Sequence, residues 1–177
     1  MPSPASSVTV SAATEAERVL IEGLVQFYIY DFSELEPAVS DRFEPGIDGR
    51  FADYPELPRY WSDPAREALM IRSNGRPAGF ALINTTSHSG MPVDRNMGEF
   101  FVMRKHRRGG VASAAVAAIL GRRPGYWEIA IAERNHPARA FWPRAVAATP
   151  EVAVLVTLEG DGINWTGPIL RFKVGAG

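Results

Sequence analysis

The stretch that decides the fold is MGEFFVMRKHRRGGVASAAVAAIL, residues 97–120. Its opening run, Met97 to Met103, is apolar and aromatic around a single carboxylate and predicts a strand. Its closing run, Gly110 to Leu120, is alanine-rich, with Val111, Ala115, Ala118 and Ile119 sharing a face, and predicts a helix. Between them Arg104, Lys105, Arg107 and Arg108, with His106 among them, put four cations into five consecutive positions ahead of Gly109-Gly110. A strand that ends in a tight turn and feeds a helix presents free backbone N–H groups at the positive end of the helix dipole, which suits phosphate. Arg107 and Arg108 add planar guanidinium donors that match phosphate oxygens. A charge run taken alone is more often a solvated turn, so the surrounding chain has to decide between the two readings.

Upstream, the apolar runs Ala68 to Ser73 and Arg76 to Ile83 flank Asn74-Gly75, the pair best suited to the positive backbone angles of a two-residue hairpin turn. Asn84 to Asn96 reads as a polar loop. Thr14 and Glu17 have capping-box spacing, and Leu20, Leu24 and Phe27 recur at helical intervals, which predicts a helix from about Glu15 to about Tyr30. Pro37 to Pro64 holds five prolines and two glycines and reads as an irregular connection with one helical turn near Tyr60 and Trp61. Connections of that length usually carry function or are disordered, and Tyr54, Tyr60 and Trp61 either line a pocket or anchor the loop.

Downstream, Trp127, Ile129 and Ile131 alternate with Glu128, Ala130 and Ala132, the period of a half-buried strand. A short helix begins at Pro137 with Asn135 or His136 before it, and Pro143 is expected to kink or end that helix. Val152 to Leu158 and Pro168 to Val174 predict a terminal hairpin, with Asn164 to Thr166 extending its second strand. No internal repeat is present.

A chain of 177 residues fits one domain. We expect a loose arm and first strand over residues 1–12 and a single domain over 13–177. There is no cysteine, which excludes disulfides, thiolate metal sites and a cysteine acyl-enzyme. The net charge is −1, and the basic turn lacks the broad basic face that nucleic acid needs, so no nucleic-acid partner is expected. No apolar stretch approaches the roughly 20 residues that span a bilayer, and the first residues do not read as a secretory signal. The expected location is cytoplasmic, with no membrane partner. His88, His106 and His136 show no metal-ligand spacing, so no metal is expected. The three-glycine dinucleotide fingerprint, the Gly-Lys-Ser/Thr loop and the Gly-x-Ser-x-Gly elbow are all absent.

Arg107-Arg108-Gly109-Gly110-Val111-Ala112 resembles the acetyl-CoA motif of the Gcn5-related N-acetyltransferases, in which Arg or Gln is followed at the third position by Gly and at the fifth by Gly or Ala. Asn135 to Trp142 is similar to that family's second element, an Asn opening a helix with an aromatic pair. Phe27 to Ser33 together with Glu99 to Val102 resembles a subgroup of predicted acetyltransferases. The resemblance implies an α/β fold: a mixed, mostly antiparallel sheet of six to seven strands, splayed between its central strands and flanked by about four helices. Acetyl-CoA would lie in the opening, its pyrophosphate on the amides of Arg108 to Ser113, with Gly109, Gly110, Val111 and Ala112 between them. Val102 and Arg104 would pair through their backbones with the pantetheine, and Asn135 and Phe141 would flank the thiol end.

The acceptor implied is a primary amine of a small molecule or peptide, acetylated by direct transfer with a backbone N–H near Val102 on the oxyanion. Glu99 and Glu128, one on each strand of the cleft, are the candidate bases. Many family members protonate the thiolate with a tyrosine where this chain has Trp142, and an indole cannot do so. Tyr28 or Tyr30 of the first helix, or a water, is then the candidate acid. The same departure leaves open a catalytically degenerate acyl-CoA-binding module. The terminal hairpin offers a route to a homodimer.

Overall fold

The computed structural model describes residues 7–175. The loose arm expected at the N-terminus therefore lies, apart from Ser7, outside the described residues. Seven strands form one sheet in the order β1-β2-β3-β4-β5-β7-β6, where β1 is Val8–Ala12, β2 Glu67–Ser73, β3 Arg76–Asn84, β4 Arg95–Val102, β5 Gly125–Ala130, β6 Val152–Glu159 and β7 Pro168–Val174. Neighbouring strands run antiparallel except β4 and β5, which are parallel. Three α-helices, α1 (Arg18–Ser33), α2 (Val111–Leu120) and α3 (His136–Ala147), cover the sheet. About four helices were expected. The long connection between α1 and β2 supplies only a 3-10 turn, Leu57–Trp61, because its prolines remove the donors that a longer helix needs.

The β2–β3 turn is built as the sequence predicts, with Asn74 at φ 51° and Gly75 at φ 74°. Thr14 and Glu17 close a capping box ahead of α1. The buried stripe of α1 differs from the expected one. Ile21, Leu24 and Val25 face the sheet, while Leu20 and Phe27 are exposed. Both sets satisfy a 3.6-residue period, and the aromatic bulk of Phe80 and Phe101 on the sheet selects the face that continues to Tyr28. The opposite face of the sheet packs Trp127, Ile129 and Phe172 against Val116, Ile119, Trp142 and Val146 of α2 and α3.

Pro143 does not end α3, which runs on to Ala147. Asn164 to Thr166 is not strand. The Asp161 carboxylate accepts from the amides of Ile163, Asn164 and Trp165, so local side-chain bonds hold the segment in a turn and β7 begins at Pro168. These bonds also hold the Asp161 carboxyl down at a pKa of about 2. Outermost in the sheet, β6 exposes Val154 and Val156 and carries a bulge with Val154 at φ 52°.

Candidate active site

The parallel pair β4/β5 is joined only at Arg95 with Trp127 and Asn96 with Glu128; beyond these the two strands are not paired. The β3–β4 register skips Gly98, pairing Ile83 with Met97 and Leu82 with Glu99. A Cβ at Gly98 would sit 2.6 Å from Asn84 Nδ2, so only glycine fits this bulge without a shift. The bulge also breaks the alternation of side chains. Met97 packs in the α2/α3 core, whereas Glu99, two residues on, meets Tyr28 of α1.

Past the bulge, the Met103 N–H donates to the Ala78 carbonyl at 2.8 Å, on the β3 side. Strand alternation then turns the peptide groups of Phe100 and Val102 toward the fork, where β5 does not pair with them. The chain next makes a 3-10 turn, Arg104–His106, and reaches α2 through Arg108 at φ 64° and Gly110 at φ 80°. Glycine suits that left-handed angle at Gly110. No side chain among the described residues caps α2, and its first helical bond runs from Ala114 N–H to the Gly110 carbonyl. The N–H groups of Val111, Ala112 and Ser113 are left without intrahelical partners. A Cβ built on Gly109 or Gly110 meets nothing within 4 Å, so the approach to those amides is open.

A groove of about 500 Å³ lies between α2 and α3, lined by Ser113, Pro137, Ala140, Phe141, Arg144, Ala145 and Ala148. It joins two residues expected at the cofactor, Ser113 and Phe141. A second cavity, about 330 Å³, lies by the joined end of the fork against Arg95, Arg122 and Arg123, remote from the uncapped amides.

The family model for the acetyltransferase (GNAT) family matches residues 29–146, well over half of the chain. The chain belongs to the GNAT family. Among curated proteins none matches it in sequence. Solved structures agree on the GNAT fold. An acetyltransferase from Thermus thermophilus is 13% identical with TM-score 0.65, over 95% of this chain and 97% of that one. The spermidine N-acetyltransferase from Vibrio cholerae, in complex with CoA and spermine, is 12% identical with TM-score 0.56, over 94% of each chain. The PaiA N-acetyltransferase from Thermoplasma acidophilum, in complex with coenzyme A, is 9% identical with TM-score 0.56, over 95% of this chain and 99% of that one.

Within this GNAT domain the two candidate bases have different surroundings. Glu99 accepts from the hydroxyl of Tyr28 and, at 2.9 Å, from that of Tyr54. Burial raises its pKa above the ordinary value, and the two hydroxyls offset only part of that rise. The Tyr28 pKa is raised well above its ordinary value by burial and by the Glu99 charge. Glu128 is fully buried and accepts from the His88 amide at 2.9 Å, from the Ser89 amide and hydroxyl, and from Arg171 at 2.9 Å. Burial alone would raise its pKa, but these donors outweigh it and the pKa is lowered.

The basic turn is also divided. Arg104 and Arg107 both pair with Asp31 of α1, Arg104 at 2.9 Å, and Arg107 Nε donates to the Val102 carbonyl at 2.7 Å. Arg108 and Lys105 make no ion pair among the described residues. Asn135 caps α3 by accepting from the Ala138 amide at 3.1 Å. Phe141 stacks on Phe100, and Trp142, 7% exposed, meets Phe100 edge-on, so Trp142 fills core.

Sequence reasoning missed Asp31, Arg144 and Arg171. Asp31 follows Tyr28 by three residues and so shares its helix face, and Arg144 follows Phe141 by three in the same way; both spacings are readable. Arg171 on β7 reaches Glu128 on β5 through strand register alone, which no local pattern carries.

Proposed function

We propose that this chain is an acetyl-CoA-dependent N-acetyltransferase that moves the acetyl group directly to a primary amine of a small molecule or peptide. The single observation that carries the reading is the fork: peptide groups of Phe100 and Val102 that β5 does not pair with open beside the uncapped amides of α2. Pyrophosphate fits the amides of Arg108 to Ser113, with Arg108 as its free cation. The pantetheine fits along Phe100 to Arg104 as an added strand and continues past the α2/α3 groove toward Phe141. That GNAT structures hold coenzyme A supports the same cofactor here.

In the reaction the amine nitrogen attacks the thioester carbon, a C–N bond forms and the C–S bond breaks. The Val102 N–H, unpaired and needing no reorganisation, faces the developing oxyanion. Glu99 accepts the amine proton; its raised pKa brings it closer to neutrality, where a base works best. Glu128, saturated by donors and with a lowered pKa, supports structure instead. Tyr28 gives its hydroxyl to Glu99 and orients that carboxylate with Tyr54, and Glu99 passes the amine proton on to sulfur. Alignment of the two reactants supplies roughly 7 to 11 kcal/mol of the barrier reduction.

Trp142 favours the second reading, a binding module without turnover. Calorimetry with acetyl-CoA, followed by thiol release across a panel of primary amines, separates the two. Heat of binding with turnover of at least one amine is the expected result. Binding without turnover establishes the module, and no heat with any coenzyme A species overturns both.

A further inference from the structure

We propose that Arg107 is a latch on the cofactor groove, held shut by Asp31, and that the pantetheine seats only when the guanidinium leaves the Val102 carbonyl. The proposal rests on the acetyl-CoA reading and adds to it a regulated entry step. Val102 turns its peptide group into the fork, and that carbonyl is the one an added strand of pantetheine needs. In the structure it already accepts from Arg107 Nε at 2.7 Å, which sets the guanidinium on the fork side of that carbonyl, where the added strand would lie. The guanidinium is fixed at three points: Nε on Val102, its terminal nitrogen on Asp31, and its Cζ 5.6 Å from the Phe101 ring centre. Asp31 is held in turn by Arg104 at 2.9 Å and is largely buried, its side chain 17% exposed.

The latch opens by exchange. An incoming phosphate offers Arg107 the anionic partner that Asp31 now supplies, and a pantetheine amide N–H offers the Val102 carbonyl the donor that Arg107 now supplies. Each group therefore leaves one bond for another of similar kind, which keeps the barrier low while closing the fork to a strand lacking phosphates. Asp31 lies one turn beyond Tyr28, the helix partner of Glu99, so the helix that orients the proposed base is the one the latch grips.

The test is calorimetry and stopped-flow binding of coenzyme A and of S-acetylpantetheine, which has no phosphate, to the wild type, D31N, R107K, R107A and D31N/R107A. Circular dichroism melting verifies that each is folded. D31N loosens the latch and is expected to bind both ligands about two- to fivefold more tightly, with faster association. R107K keeps the charge but loses the Nε donor, and the same gain for S-acetylpantetheine is expected. In the R107A background the D31N effect should vanish. An unchanged or weaker affinity in D31N overturns the latch and leaves the cofactor reading intact. So does a gain seen only with coenzyme A, or one that survives in R107A, since either marks simple relief of charge repulsion. If the wild type and every variant fail to bind any coenzyme A species, the cofactor reading falls and the latch with it.

Discussion

Glu99 and Glu128 stand on adjacent strands and on the same face of the sheet, 29 positions apart in the chain. Glu128 is surrounded by donors that need its charge: two backbone amides, two serine hydroxyls and Arg171. Glu99 is surrounded by aromatic rings and receives only two hydroxyls, which favour its charge but do not offset its burial. Burial acts on both in the same direction; the donors decide the outcome, lowering one pKa and leaving the other raised. A carboxylate whose charge is fully used holds structure together. One whose charge is poorly supported is available for proton transfer.

The largest expected effect comes from Glu99→Gln, which keeps the shape and removes the base. On the proposed mechanism kcat falls about 10²- to 10⁴-fold with stability unchanged or slightly higher, since a reluctantly charged group has been neutralised. Steady-state kinetics beside urea denaturation measures both. A loss below about threefold would remove Glu99 from the mechanism. Glu128→Ala should give the mirror result. It strands a largely buried Arg171 and frees the segment Ser87 to Ser89, which is expected to cost about 3 to 5 kcal/mol in the same denaturation experiment, with kcat of the folded protein reduced less than tenfold. A stable but inactive Glu128→Ala protein would reverse the assignment.

The contrast extends to pH, with opposite signs. Glu99 has a folded pKa above its ordinary 4.5, so its contribution is complete below that value and is lost as pH rises through the raised folded value. Glu128 has a folded pKa below 4.5, so its contribution is present above that value and is lost as pH falls through the folded one. Stability profiles of the two glutamine variants should each flatten one limb: Glu99→Gln above pH 4.5, Glu128→Gln below it. Flattening on the same side in both would show that their environments do not differ as described.

How far the sequence reveals this site follows from the kind of physics involved. Hairpin, capping box, basic turn and glycine pair are local, and each is read from neighbouring residues; the family motif at Arg107 to Ala112 is local as well. The fork is less visible. Period-two alternation along Met97 to Met103 places Met97 and Glu99 on one face, and only the bulge at Gly98 separates them. The basic run is readable as charge, but that two of its arginines are committed to Asp31 depends on where α1 lies. Which glutamate is saturated depends on Arg171 and on the loop after β3, both brought in by tertiary contacts. The rotated stripe of α1 shows the same limit, since periodicity fixes that a face exists and the packed partner chooses which one.

The smallest expected effect, Tyr54→Phe, sharpens the comparison most finely. Tyr54 lies in the proline-rich connection, which Gln26 of α1 pins through both the amide and the carbonyl of Phe51. Its hydroxyl bond to Glu99 favours the charged carboxylate, so removing it should raise the Glu99 pKa further and shift the acid limb of kcat/KM to higher pH, with a rate change at neutral pH of less than about fivefold. If the limb stays in place while the melting temperature falls, Tyr54 serves only to anchor the loop. If it moves upward, the connection belongs to the site: a strand supplies the base, a helix and a loop each supply a hydroxyl, and the loop's share is the part that can differ from one acceptor to another.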